Sequence, residues 1–273
     1  MAGEGRTVVK LEVPWADAEL AADALWQGQP SAVGEAELGG GRVRLTADVA
    51  DVDRIPGPWA DALVRIGAGD DRYLDAWRSW AAPLRAGRRI VVHPAWLDAP
   101  GAPTDDLVIV LDPGRAFGSG SHVSTRLALA AVEEHVTPGD RVLDVGCGSG
   151  VLSVAACLLG AAGATAIDVD AGAVAATRDN ADRNGVADRV DASERTLSGL
   201  DGVFDLVVAN IGLAILRYMA PDLEARRAPS GLLVLGGLLE EQADEMAAAC
   251  ATSTEVAREG EDGWVSLLLR SRG

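Results

Sequence analysis

The chain has 273 residues, 48% of them hydrophobic, and its 41 acidic against 24 basic side chains give a formal net charge of −17. That length allows a large core with a smaller second domain, and the charge argues against gripping a nucleic-acid backbone, which needs a basic face. No apolar run approaches the roughly 18 residues of a membrane span, and Cys147, Cys157 and Cys250 include no C-x-x-C pair, so neither a disulfide framework nor a zinc site is supported. The start, with Glu4 and Arg6, shows no signal-peptide core, and a soluble cytoplasmic protein is expected. The acidic surplus suits encounter with a basic protein, although solubility alone accounts for it. Lys10 is the sole lysine, a compositional bias given no functional weight.

In chain order, Val9, Leu11 and Val13 alternate with Val8, Lys10 and Glu12 as in a strand. Asp17 is placed to cap a helix through Leu25 that stops at Gly28. A hairpin follows, with arms Ala32 to Leu38 and Arg42 to Val49 around Gly39, Gly40 and Gly41. Pro58 suits the first turn of a second helix to about Ile66. The order β-α-β-β-α resembles a ferredoxin-like α+β domain over residues 1–69 whose last strand is not located.

Tyr73, Leu74, Trp77 and Trp80 share one face of a linker helix over 70–84, read as packing against a neighbouring domain. Residues 85–273 form the larger domain. Strands Arg89 to His93 and Leu107 to Leu111 come first. From Thr125 onward helices and strands alternate: helix to Glu134, strand Arg141 to Val145, helix to Leu159, strand to Val169, helix to Asn184, strand Phe204 to Ala209, helix Leu213 to Ala225, strand Leu232 to Leu235, helix Glu240 to Ala249 and strand Gly263 to Leu269. Such alternation predicts an α/β, doubly wound, Rossmann-like sheet with its ligand at the carboxyl ends of the strands.

The most informative stretch is VLDVGCGSG, Val142 to Gly150: a strand, a glycine turn and the start of a helix. Side chains there would fend off a ligand approaching the backbone, and the first amides of the helix are free to bind it. Asp168 ends the next strand, 22 positions after Gly146, where an acidic group in a βαβ unit accepts hydrogen bonds from ribose hydroxyls. The dinucleotide fingerprint G-x-G-x-x-G would need glycine at 151, and Val151 stands there, which disfavours a nicotinamide oxidoreductase. G-x-G-x-G after Asp144 is instead the pattern of S-adenosylmethionine methyltransferases. Two further stretches stand out: the loop DPGRAFGSGSHVST from Asp112 to Thr125, able to fold over a ligand, and Asn210 with Ile211 at the end of FDLVVA.

These motifs, in this order, resemble those of the ribosomal protein L11 methyltransferase family of PrmA-type enzymes, whose members carry D-P-G-x-A-F-G-T-G-x-H-x-T-T, D-x-G-C-G-S-G, D-x-D and A-N-I-L. The likeness continues through GGLLEEQ at Gly236 to Gln242. It implies a class I fold, S-adenosylmethionine as cofactor, and methylation of lysine side chains and an N-terminal amine on a large-subunit ribosomal protein, with residues 1–69 recognising the substrate. By the same resemblance Thr125, Gly146, Gly148, Asp168 and Asn210 line the cofactor. Asn210 lies by the transferred methyl as the catalytic residue, and Phe117 either covers the cofactor or anchors the loop. Asp170 is expected to cap the next helix, and His122 to stabilise the loop rather than act as a base. The chain departs from the pattern at Ser119, Ser124 and Gly212, at Ile215 where proline is usual, and in a shorter N-terminal region. A methyltransferase for another protein or a small molecule, or a cofactor-binding interaction protein without turnover, would share the cofactor motifs.

Overall fold

A computed structural model describes residues 7–28, 30–49, 51–67, 82–98, 105–113, 118 and 120–272. The chain divides into two compact units, Met1–Ala81 and Ala82–Gly273. The residues expected to carry Trp77 and Trp80 on a linker helix lie outside those described.

In the first unit β1 (Thr7–Pro14), α1 (Ala18–Gln27), β2 (Pro30–Gly39), β3 (Arg42–Val49), α2 (Gly57–Ala62) and β4 (Val64–Gly67) follow one another. The sheet order is β2-β3-β1-β4, with every pairing antiparallel, the ferredoxin-like arrangement. Alternation along β1 and β3 sends Val9, Leu11, Val13, Val43 and Leu45 into the core against Ala21 and Leu25 of α1. Gly40 and Gly41, with φ of +63° and +72°, make the two-residue turn whose twist matches the hairpin. The strand missing from the sequence reading is β4, which occupies what reads as the end of the second helix. Trp59, Leu63 and Ile66 are spaced as on a helix face, and four residues are too few for a strand period to compete.

The second unit begins with a small sheet of β5 (Leu84–Ala86), β6 (Ile90–Pro94) and β7 (Leu107–Leu111), so Leu84 is a strand residue and not the end of a helix. Then come α3 (Val123–His135), β8 (Arg141–Val145), α4 (Val151–Leu158), β9 (Gly163–Ile167), α5 (Ala171–Arg183) and β10 (Val190–Ser193). They are followed by β11 (Phe204–Asn210), α6 (Leu213–Arg226), β12 (Arg227–Leu239), α7 (Ala243–Ala249), β13 (Ser253–Glu261) and β14 (Trp264–Ser271). The seven-stranded order is β10-β9-β8-β11-β12-β14-β13, parallel except for β14, which runs antiparallel to both its neighbours.

Side chains of the central strands alternate between two cores. Val142, Leu206, Val208 and Val234 pack with α3, α4 and α5, while Leu143, Val207, Leu233 and Leu235 pack with α6 and α7. The sheet is therefore doubly wound, and its order reverses between β8 and β11, the switch point at which ligands of such sheets bind. Leu223 of α6 is fully buried, whereas Tyr218 on the same helix is 87% exposed. Leu223→Ala is expected to cost about 2–5 kcal/mol of unfolding free energy by denaturant titration, and Tyr218→Ala no more than about 0.5 kcal/mol.

Candidate active site

The turn leaving β8 is built from backbone. Gly146 and Cys147 both donate their amides to Ile167 O, at 2.8 and 3.1 Å, tying the ends of β8 and β9 together. Gly146, Gly148 and Gly150 have φ of +73°, +53° and +77°, values that side chains resist. Gly148 N donates to Asp168 Oδ2 at 3.0 Å, and Asp170 N to Asp168 Oδ1 at 3.0 Å. The Asp168 carboxylate thus closes the turn with one lone pair on each oxygen and keeps further acceptor capacity. Asp170 caps α5 as expected, accepting from Gly172 N at 2.8 Å.

The other side of the turn is held by side chains, of which Thr177 and Asn180 lie outside every motif. Thr177 Oγ1 donates to Gly148 O at 3.0 Å, Asn180 Nδ2 to Ser149 O at 2.9 Å, and Ser149 Oγ to Gly118 O at 2.6 Å. Asp144, fully buried on β8, accepts from Ser153 Oγ at 2.7 Å and Ser153 N at 3.2 Å through Oδ2 alone. Its Oδ1 has no partner among the described residues. Burial pushes the Asp144 carboxyl up to about 6 against the opposing pull of Ser153. The Cys147 thiol is also raised by burial and stays protonated, so it offers no thiolate.

Asn210 ends β11 and pairs in register with Gly236 of β12. A Cβ at Gly236 would sit 2.7 Å from Asn210 Oδ1, and one at Gly237 2.7 Å from the Ile211 carbonyl oxygen. This is why GGLLEEQ opens on two glycines. Asn210 is 8% exposed, its Nδ2 lies 3.5 Å from Thr125 Oγ1, and its Oδ1 is unpartnered among the described residues. Thr125, buried in the first turn of α3, is held there by its amide on His122 O at 3.1 Å.

The structure therefore brings Thr125 to Asn210 at the tip of β11 and joins Gly148 to Asp168 in the turn that Gly146 opens. Phe117 lies outside the described residues. Sequence reasoning missed the support from Ser149, Thr177 and Asn180. For Thr177 and Asn180 the available signal was polar residues three apart on the inward face of a helix, whereas Ser149 stood inside the glycine motif itself.

His122 is the N-cap of α3. Its Nδ1 accepts from Ser124 N at 3.3 Å and lies 2.8 Å from Ser124 Oγ, and its ring meets Trp264 edge-on with centroids 4.6 Å apart. Burial, with Arg126 adding to it, pulls the imidazole down to about 4. The ring is neutral at neutral pH, and the cap engages its Nδ1 lone pair. Because the folded value lies below the ordinary 6.5, the neutral ring favours the folded state fully above about pH 6.5, and that contribution is lost as pH falls towards 4. His122→Asn retains a capping side chain. Thermal unfolding from pH 7 to 4.5 should show the wild type losing about 2 kcal/mol more stability than this variant.

The family described as "Ribosomal protein L11 methyltransferase (PrmA)" matches residues 65–272. A ribosomal protein L11 methyltransferase of Pelotomaculum thermopropionicum is 43% identical over 79% of this chain and 70% of its own length. One of Cupriavidus taiwanensis is 46% identical over 82% of the chain and 73% of its own. The crystal structure of a ribosomal protein L11 methylase from Lactobacillus delbrueckii subsp. bulgaricus superimposes with a TM-score of 0.66 at 30% identity, covering 71% of this chain and all of that one. The doubly wound unit is thus that of a protein methyltransferase, and the chain belongs to the ribosomal protein L11 methyltransferase family.

Proposed function

We propose that the protein transfers methyl groups from S-adenosylmethionine to amino groups, lysine side chains and an N-terminal amine, of the ribosomal protein for which its family is named. The observation that carries this reading is the pair of buried acceptors without donors, Asn210 Oδ1 and Asp144 Oδ1, flanking the switch point. Buried acceptors without partners are costly, and a cationic ligand rich in N–H groups relieves them. Asp168 retains acceptor capacity for a ribose diol, and Val169 beside it, 95% exposed, offers an apolar surface for a purine face. The residues present fit the cofactor.

When bound, S-adenosylmethionine supplies a methyl group on a sulfonium centre, already activated towards attack. The chain's own residues then have to hold an uncharged amine in line. Asn210 Oδ1 accepts an N–H of the incoming amine and so aims its lone pair. Thr125, against the amide of Asn210, fixes the orientation of that carboxamide. A lysine ammonium must first lose a proton, and transfer from water into the cleft lowers its pKa and favours the neutral form. His122 does not take that proton, since its ring serves the helix cap. The net charge of −17 favours encounter with a basic partner.

Residues 1–69 serve as the substrate-recognition domain and residues 70–84 as its connector. The protein acts in the cytoplasm without membrane or nucleic-acid contact, in keeping with the absence of any helix long and apolar enough to cross a membrane among the described residues.

The deciding experiment is radiolabelled methyl transfer to ribosomal proteins from a strain lacking this gene, with the acceptor read by mass. Label on a single large-subunit protein supports the proposal. Donor binding with label only on some other acceptor overturns the substrate, and no donor binding overturns the cofactor. Asp168→Ala should weaken donor affinity about 10–100-fold by equilibrium titration, the loss expected on removing hydrogen bonds to a charged group. Asn210→Ala should lower kcat about a hundredfold with a much smaller change in donor affinity. Gly236→Ala, which would place a Cβ 2.7 Å from Asn210 Oδ1, should reproduce part of that kcat loss.

A further inference from the structure

Two asparagines four positions apart, Asn180 on α5 and Asn184 at its C-cap, do the work of a β-strand. Asn184 accepts the Val110 amide at 2.8 Å through Oδ1 and donates to the Val110 carbonyl at 2.7 Å through Nδ2. Asn180 does the same to Asp112, accepting its amide at 3.0 Å and donating to its carbonyl at 3.0 Å. Residues 110 and 112 present both groups to the same edge of an extended chain, about 6.6 Å apart, and one i,i+4 step on a helix rises about 6 Å, so the two carboxamides match the edge in spacing. Through them α5 covers the edge of β7 opposite β6.

Asn180 reaches further. Its Nδ2 also donates to Ser149 O in the glycine turn, and Ser149 Oγ donates to Gly118 O in the long loop. A single fully buried carboxamide thus joins Asp112, where that loop begins, to the turn that ends at Gly150, and Ser149 joins the turn to the loop again six residues on. Neither asparagine belongs to the motifs of the site.

We propose that Asn180 is a positioning residue for the methyl-donor site, fixing the origin of the Asp112–Thr125 loop against the glycine turn, and that Asn184 sets the register of the strand feeding it. This rests on the reading that the turn holds S-adenosylmethionine. A merely structural asparagine would lower stability without separating donor KM from kcat. A positioning one raises donor KM more than it lowers kcat, because it touches the frame of the donor site and not the reacting atoms.

The test compares the full chain with Asn180→Ala, Asn180→Asp and Asn184→Ala by amide hydrogen exchange and adenosylmethionine titration. In Asn180→Ala the Asp112 amide should exchange about tenfold faster while Val110 stays protected, and donor Kd should rise about tenfold. In Asn184→Ala the pattern of protection reverses, and donor Kd changes less than threefold. Asn180→Asp keeps the volume and the acceptor but sets a carboxylate against the Asp112 and Ser149 carbonyls, so it reports on the same bonds should the alanine variant fail to fold. Its donor Kd should rise at least as far. Wild-type binding with unchanged affinity in the Asn180 variants overturns this proposal alone. A wild-type chain that binds no adenosylmethionine overturns the cofactor reading beneath it.

Discussion

The close approach of Asn210 and Ile211 to three glycines at the carboxyl ends of β8 and β12 governs the rest of the second unit. Gly146, Ile211 and the Gly236–Gly237 pair meet at distances that leave no room for a Cβ on any of the glycines: 2.6 Å from the Ile211 methyl at Gly146, and 2.7 Å from the Ile211 carbonyl oxygen at Gly237. Ile211 is β-branched and stiff at χ1, so it does not yield easily. These strand ends lie where the sheet order reverses between β8 and β11, the switch point. Asn210 and Thr125 stand on one side of it, and Asp168 closes the turn on the other.

Polar groups in this region fall into two kinds, and the contrast gives the site its chemical direction. Thr177, Asn180, Asn184, Ser149 and Ser153 spend their hydrogen bonds on backbone or on Asp144, and their protein partners hold the region in shape. Asp144 and Asn210 each keep one buried oxygen without a donor among the described residues. Both oxygens are acceptors, and one belongs to a carboxyl group whose ionisation burial opposes. A ligand that brings positive charge would restore that ionisation, because an opposite charge favours the charged form.

Much of this was legible in the sequence, and the boundary between what was and was not has physical causes. The buried central strands, β8 and β11, announce themselves because both faces are covered and apolar residues run together. The places of Gly146, Asp168 and Asn210, at a turn, just past a strand end and at a strand tip, were legible because the apolar runs on either side mark those boundaries. The missed strands β4, β5, β10 and β13 are short or largely exposed; β13, with a mostly exposed polar face, lacks the apolar alternation that marks a half-buried strand. Its turn was nonetheless written in the chain: Asp262 and Gly263, with φ of +50° and +79°, are the Asp-Gly pair of a two-residue hairpin. Asn180 and Asn184 were illegible for another reason. Their role depends on β7, some 70 residues earlier, being brought beside α5, a long-range contact that no local pattern encodes.

The same logic bears on how the reaction manages its proton. A buried base placed beside the acceptor would have to be desolvated in company with a sulfonium, and the titratable groups near the turn are arranged otherwise. His122 is held neutral with its Nδ1 turned to the cap, Cys147 is held as a thiol, and Asp144 is committed through Oδ2 to Ser153. Each of these groups is placed to fix structure in its neutral or hydrogen-bonded form rather than to exchange protons with a substrate. What the chain presents at the tip of β11 is instead an acceptor, Asn210 Oδ1, with no donor among the described residues.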